Sequence, residues 1–360
     1  MRVVISAGGT GGHIYPALAI INKIKEREPK SEFLYIGTHN RMEKDIIPKH
    51  NIPFETIEIY GFNRKKLYKN FKVLSCFYKG YQKCKKLIKE FKPDIVIGVG
   101  GYVTGPVIYA ASKLGYPTFI HEQNSIPGKC NNFLASHVTL IGTSFKSTID
   151  KFPKEKTIFT GNPCSEDALK QPIMKKSEFG LLDSKKLVLI VMGSLGSSKI
   201  NDYFINLFSA FGGKNYQVLY VTGNAAYESL KNIKVPTNVK LVPYIDNMTR
   251  IMKSTDIMVT RAGASTLSEI IALKVPSIII PSPYVPDNHQ YKNAIGLVDA
   301  NAAIMIEEHD LKGDILVRNI DTLINDDAKI QNMKNNLSDF GIDGSATIIY
   351  ENIKKIIGEK

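Results

Sequence analysis

Six short stretches of this 360-residue chain combine glycines and polar side chains in spacings that suit chemistry on phosphates or sugars. The first is Gly8-Gly9-Thr10-Gly11-Gly12-His13, directly behind an apolar run at 3–7. Glycines let the backbone turn tightly and approach a ligand, and the N-terminus of a following helix favours negative charge. A dinucleotide fingerprint does not fit. Started at Gly9, it needs glycine where Ile14 stands, and the next apolar run ends Gly37-Thr38 without the acid that holds a ribose. No Gly-Lys-Ser/Thr follows either, so this is not a Walker loop. Another phosphate or a sugar is left. A neutral imidazole at His13 can take a proton from an attacking hydroxyl; on spacing alone it serves equally well as a brace of the loop.

Gly98-Val99-Gly100-Gly101-Tyr102 and His121-Glu122-Gln123-Asn124 also follow apolar runs. Consecutive polar residues are costly to bury unless they bind something, so ligand contact is expected of the second group. Its His-Glu pair lacks the spacing of metal ligands. Gly193-Ser194-Leu195-Gly196-Ser197-Ser198 has the strand–glycine turn–helix layout that binds a phosphate, with Ser194 adding a hydroxyl. Ser198 suits a plain N-cap as well. In Thr260–Glu269, Thr266 and Glu269 have the form of a capping box, yet a carboxylate near a helix start is also how a ribose diol is held. Asp287-Asn288-His289-Gln290-Tyr291 offers amides and an imidazole to sugar hydroxyls. No Asp-x-Asp occurs, which favours a metal-free route in which helix dipoles and hydroxyls neutralise a leaving diphosphate. No cofactor is expected.

Strands and helices must position these groups. Apolar runs at 3–7, 33–37, 95–98, 118–121, 138–142 and 158–161 alternate with helical spacing at 16–28 and 104–114, where Pro16 suits a first turn. The rhythm pauses at Gly161-Asn162-Pro163 and restarts at 187–192, continuing through 216–221, 239–242, 257–260, 277–281 and 302–306. This predicts an α/β fold of two Rossmann-like, doubly wound domains facing a central cleft, with ligands at the carboxyl ends of the strands. The expected first domain is 1–163, completed by a C-terminal helix within 345–360; the second is 164–344.

Composition narrows the class. At 43% hydrophobic and 22% charged the chain is ordinary for a globular protein. The run at 3–7 is too short for a signal peptide, and none approaches the roughly 18 apolar residues of a membrane span, so a cytoplasmic location is expected. The cysteines Cys76, Cys84, Cys130 and Cys164 form no CxxC pair and read as free thiols. The formal charge is +13, and between Gly61 and Pro93 eleven Lys/Arg against Glu90 leave +10. Apolar residues Leu67, Phe71, Leu74, Tyr78, Tyr81, Cys84, Ile88 and Phe91 recur there every three or four positions. An amphipathic helix with lysines beside aromatics fits an anionic membrane surface, reached through Phe62–Phe91, with Phe62, Lys65, Lys66, Leu67 and Tyr68 against lipid and the stripe facing the core. No nucleic-acid recognition motif accompanies it.

In order along the chain, the motifs described, with Thr104-Gly105-Pro106, resemble the MurG family of bacterial transferases over essentially the whole length. Those enzymes add N-acetylglucosamine from UDP-N-acetylglucosamine to undecaprenyl-diphosphate-linked N-acetylmuramoyl-pentapeptide (lipid I), making lipid II. The resemblance implies a GT-B fold, an inverting, metal-independent reaction and peripheral attachment to the cytoplasmic face of the plasma membrane. It also admits cell-wall synthesis proteins as partners. Thr10, Gly11, Gly12, Asn124 and Gln290 are then expected at the donor sugar, Ser194 at the diphosphate and the Ile245 backbone at the uracil. Ala264, Ser265, Thr266, Leu267, Ser268 and Glu269 are expected around the ribose and phosphates, with Glu269 on the ribose hydroxyls. Gly8, Gly9, Gly100, Gly101, Tyr102, His121 and Glu122 are expected to meet the acceptor, with His13 as base on the muramoyl 4-hydroxyl. Two positions depart from the family pattern: Ser165 where arginine is common, and Leu195 where glutamine is common. Lys199 is the nearby cation that could replace the arginine. A diacylglycerol glycosyltransferase and a non-catalytic UDP-sugar scaffold are the alternatives.

Overall fold

The computed structural model describes residues 1–61, 70–192 and 198–358, without the side chains at 198 and 199. Ser194, Leu195, the Lys199 side chain, and Phe62, Lys65, Lys66, Leu67 and Tyr68 lie outside the described residues. Two compact units emerge: Met1–Glu166 with Asp343–Lys360, and Asp167–Ile342.

The first unit opens with β1 (Arg2–Ser6), α1 (Gly11–Arg27), β2 (Glu32–Gly37), α2 (Glu43–Ile46) and β3 (Phe54–Thr56). It continues with α3 (Asn70–Phe91), β4 (Ile95–Gly98), α4 (Thr104–Lys113), β5 (Thr118–Glu122) and α5 (Lys129–Leu134). β6 (Leu140–Thr143) and β7 (Thr157–Phe159) complete its strands, and α6 (Pro163–Lys170) contains the boundary with the second unit. Among the described residues its sheet has the order β3-β2-β1-β4-β5-β6-β7, all parallel. Strands covered on both faces read as continuous apolar runs, and β1 and β4 are almost wholly buried. β3, three residues long at the sheet edge, is too short to leave an apolar run in the sequence.

The second unit runs β8 (Leu187–Val191), α7 (Ser198–Leu207), β9 (Gln217–Val221), α8 (Asn224–Leu230), β10 (Val239–Val242) and α9 (Met248–Met252). Then come β11 (Ile257–Thr260), α10 (Ala264–Leu273), β12 (Ser277–Ile279), α11 (His289–Asp299), β13 (Ile304–Met305), α12 (Ile315–Ile324) and α13 (Asp327–Leu337). Its parallel sheet has the order β10-β9-β8-β11-β12-β13. Strand order reverses between β1 and β4 in one unit and between β8 and β11 in the other, the switch points where doubly wound sheets hold ligands.

Three local expectations change. α1 begins at Gly11, so Pro16 is its sixth residue rather than part of the first turn. The ring costs one helical bond, to the Gly12 carbonyl. The apolar stripe of α3 is split: Cys84 and Ile88 are buried against α4, whereas Phe71, Leu74 and Tyr78 are 78%, 59% and 63% exposed. The last helix, α14 (Ser345–Ile356), belongs to the first unit, burying Ile349 and Ile353 in the core around α1.

Candidate active site

In the first unit β1 and β4 pair in register with Ser6 opposite Gly98, so the glycine loops behind them meet. The Gly8 amide donates to the Gly100 carbonyl at 3.2 Å. Several glycines are explained by this meeting. A methyl group on Gly8 would collide with Glu43, and one on Gly101 (φ +87°) with the Gly8 carbonyl. At Gly100 (φ +100°) it would lie 2.9 Å from Nε2 of His13, so the missing side chain keeps space beside that nitrogen. Gly12 differs, since a methyl there would meet only the Thr10 hydroxyl, at 3.7 Å. Thr10 and Gly12 are both exposed at the start of α1, where the first amides have no helical acceptor. They are the part of the loop open to a ligand. Gly8, Gly100 and Gly101 are hemmed in by Glu43, His13 and the Gly8 carbonyl, whereas a methyl on Gly9 (φ +96°) would meet nothing.

The His13 ring is half-buried, with Nδ1 3.0 Å from the Gly8 carbonyl. A carbonyl oxygen only accepts, so Nδ1 carries the proton and neutral His13 keeps its lone pair on Nε2. That tautomer is the one a base needs.

The polar run at the end of β5 is bonded mostly to its own loop and its neighbours, with the Gln123 Oε1 buried without a partner. His121 is fully buried; its Nε2 donates to the Gly161 carbonyl at 3.0 Å, and Nδ1 accepts from Gln123 Nε2 at 3.0 Å. Burial lowers its pKa to about 4, so it stays neutral. The Glu122 carboxylate, 2% exposed, accepts from the Asn124 amide (3.0 Å), Asn124 Nδ2 (3.2 Å), the Gly128 amide (2.9 Å) and Asn131 Nδ2 (2.8 Å). The expectation that His121 and Glu122 touch the acceptor is therefore corrected, because neither presents a surface. Glu122 holds Asn124 in place, and His121 ties Gln123 to Gly161. Tyr102, by contrast, is 53% exposed beside Gly61 and open to an acceptor.

In the second unit α10 starts behind β11 with Gly263 as N-cap and no side-chain cap. Thr266 is thus the third helical residue, and the capping box suggested by Thr266 and Glu269 does not form. Its first turn keeps uncapped amides at Ala264, Ser265 and Thr266, and the Ser265 hydroxyl is buried without a hydrogen-bond partner. Uncapped amides at the head of a helix are an anion site by construction. Ala264, Leu267 and Ser268 are buried, and the Ser268 hydroxyl is spent on the Ala264 carbonyl, so these residues can offer backbone only. Glu269 is half-buried by area, yet so enclosed that desolvation pushes its carboxyl up to about 7. The Ile245 side chain is buried in the core, which likewise leaves its backbone.

Gln290 is the second residue of α11, after a turn in which Asp287 and Asn288 take positive φ, 54° and 50°. Its Oε1 accepts from the Ser282 amide at 2.8 Å. A cavity of about 600 Å³ opens beside this turn, with Tyr284, Asn288 and Tyr291 in its wall. Two residues without an expected role hold the turn. Arg261 is 7% exposed and ties three strand ends together: Nη1 donates to the Ile280 and Pro281 carbonyls, and Nη2 pairs with Glu308 at 2.6 Å. Buried Asn293 reaches from α11 to the Ala262 carbonyl at 3.2 Å. An arginine directly behind a buried strand was the one legible signal for either. Ser165 is also explained: its hydroxyl is buried, donating to the Asn162 carbonyl (2.7 Å) and lying 2.9 Å from the Ser345 hydroxyl. It joins the two places where the chain passes between units.

The model of the glycosyltransferase family 28 N-terminal domain matches residues 3–143, and that of the family 28 C-terminal domain matches 187–347. This chain belongs to glycosyltransferase family 28. Family 28 relatives include a Bacillus cereus protein named UDP-N-acetylglucosamine–N-acetylmuramyl-(pentapeptide) pyrophosphoryl-undecaprenol N-acetylglucosamine transferase 1, 48% identical over 362 residues, covering 99% of this chain and 100% of the relative. A Bacillus pumilus protein of the same name, without the final numeral, is 48% identical over 361 residues and 99% of both chains. Among solved structures, the crystal structure of Acinetobacter baumannii MurG superposes with a TM-score of 0.77 at 28% identity, covering 98% of this chain and 99% of that one. The GT-B fold and hexosyltransferase chemistry follow from this membership.

Proposed function

We propose that this family 28 enzyme transfers N-acetylglucosamine from UDP-N-acetylglucosamine to the lipid-linked N-acetylmuramoyl-pentapeptide, lipid I, forming lipid II for peptidoglycan. The observation that carries this reading is the 48% identity to transferases of that name along the whole chain. The first unit is the acceptor- and membrane-binding half, and the second binds the nucleotide.

Nε2 of neutral His13 takes the proton of the muramoyl 4-hydroxyl as its oxygen attacks C1 of the donor sugar. The C1–O bond to the diphosphate breaks and the configuration at C1 inverts. UDP leaves as an anion, and the uncapped amides of α10 meet its charge without a metal ion. Ser194 adds a hydroxyl to the diphosphate, and the Ile245 backbone receives the uracil. Glu269 accepts from the ribose hydroxyls, which favours its ionised form. Thr10, Gly11, Gly12, Asn124 and Gln290 contact the sugar, and Tyr102 contacts the acceptor.

No described helix is long and apolar enough to cross a membrane. Peripheral attachment to the anionic cytoplasmic leaflet falls to α3, where exposed Phe71, Leu74 and Tyr78 sit among Lys72, Lys79 and Lys83.

A transfer assay with labelled UDP-N-acetylglucosamine, a short-chain lipid I analogue and EDTA tests the proposal. Disaccharide-linked product in the presence of EDTA is expected. Tight UDP-sugar binding with no product would overturn the acceptor assignment. Product only after added Mg²⁺ would overturn the metal-free route.

A further inference from the structure

Glu43 lies far from every motif of the glycine loop in sequence, on the four-residue helix α2, yet it is fully buried against that loop. One carboxylate oxygen, Oε1, accepts from the Thr38 hydroxyl (2.6 Å) and the Thr38 amide (3.0 Å). The other, Oε2, accepts from the Gly9 amide at 3.0 Å. The Gly9 N–H and the Gly8 carbonyl belong to one peptide group, and that carbonyl is the acceptor for Nδ1–H of His13.

We propose that Glu43 is a positioning residue for His13, acting through the Gly8–Gly9 peptide as the carboxylate of a histidine–carboxylate dyad acts directly. A peptide unit whose N–H is bound by a carboxylate is polarised, and its carbonyl becomes the better acceptor. The carbonyl then holds the imidazole in the Nδ1–H tautomer, leaves Nε2 as the basic nitrogen, and stabilises the imidazolium that forms when Nε2 takes a proton. The peptide plane is held from both sides, so the ring direction is set as well. Gly8 and Gly37 are glycine for the same reason. A side chain on Gly8 would collide with the Glu43 carboxylate, and one on Gly37 would come within 2.8 Å of its Cγ. Ionisable side chains on the surrounding elements include Tyr35 on β2, Tyr15 on α1 and Tyr102 behind β4, with Lys44 and Asp45 beside Glu43 on α2. The Tyr35 hydroxyl donates to the Ala7 carbonyl, and burial, with the neighbouring Glu43 charge, keeps it protonated.

The inference rests on His13 as base, but its first readout does not need turnover. Nitrogen-15 NMR of the histidine rings in the full-length protein gives the tautomer and the titration of His13. Nδ1–H is expected in the wild type, and Glu43→Gln should titrate at lower pH because the facing negative charge is gone. Its kcat should fall about tenfold to a hundredfold, with the affinity for UDP-N-acetylglucosamine unchanged. Thr38→Val, which keeps the charge and removes one donor, should leave the His13 titration near that of the wild type. An Nε2–H tautomer in the wild type, or a folded Glu43→Gln protein with unaltered His13 titration, overturns the relay. Should Glu43→Gln fail to fold, Glu43→Asp decides it: the shorter side chain withdraws the carboxylate from the Gly9 amide, so His13 should titrate at lower pH than in the wild type, and an unaltered titration overturns the relay. Full turnover by His13→Ala would overturn His13 as base but leave the tautomer and titration results standing.

Discussion

Glu269 shows what a single carboxyl contributes when nothing charged faces it. Burial alone pushes it from the ordinary 4.5 to about 7. Between these values the unfolded chain has released a proton that the folded chain retains, so stability declines as pH rises through the window and the full cost stands above pH 7. Glu269→Gln should therefore melt higher than the wild type at pH 8, by roughly 1–3 kcal/mol, and match it at pH 4. Differential scanning calorimetry at the two pH values checks this. Ribose hydroxyls donate best to the ionised form, so UDP should bind more tightly as pH rises from 6 to 8 and release a proton on binding. Calorimetric titration in buffers of different ionisation enthalpy measures that proton. Glu269→Gln should bind weakly and without the pH slope; an unchanged slope would remove Glu269 from the nucleotide site.

Whole elements are held by residues that no motif announces. Arg261 and Glu308 tie together the ends of β11, β12 and β13, from which the turn leading to Gln290 departs. Removing one partner leaves the other charge buried, at a cost of about 3–5 kcal/mol. Glu308→Ala should lower the melting temperature and raise KM for the UDP-sugar more than it lowers kcat, as steady-state kinetics would show. The exposed end of α3 should behave in the opposite way. Phe71→Ser with Leu74→Ser removes little packing, so the melting temperature should hold, while flotation with anionic vesicles should drop roughly tenfold or more. Flotation equal to that of the wild type would move the membrane surface elsewhere.

At the scale of the molecule, the chain returns to its first unit to finish it. α14 packs on α1 with Ile349 and Ile353 fully buried, and Tyr350 and Lys354 donate to Glu28 at 3.0 and 2.8 Å. The head of α14 is held by Glu166, which accepts from the Thr347 amide at 2.9 Å and pairs with buried Lys23 at 2.5 Å. Each buried isoleucine contributes about 1.5–3 kcal/mol. A chain ending at Ile342 loses both and leaves Glu28 and Glu166 short of partners. Limited proteolysis should then cut the first unit faster and leave the rate for the second unchanged.

Order along the chain was enough for the fold class, because strands buried on both faces must be apolar throughout and must end where turns begin. The same logic marked the strand ends that carry Thr10, His13, Ser265, Glu269 and Gln290. What the sequence by itself could not determine is which of the marked residues face outward. His121 and Glu122 read as ligand contacts because consecutive polar groups need partners, but the partners are Gly161, Gln123, Gly128 and Asn131. The two glycine clusters read as room for a ligand, whereas Gly8 of the first makes room for Glu43 and Gly101 of the second for the Gly8 carbonyl. Glu43, Arg261 and Asn293 gain their roles only when distant strand ends are brought level in a sheet. Hydrogen-bond partners separated by 31 or more positions are assigned by tertiary packing, and no local pattern records them.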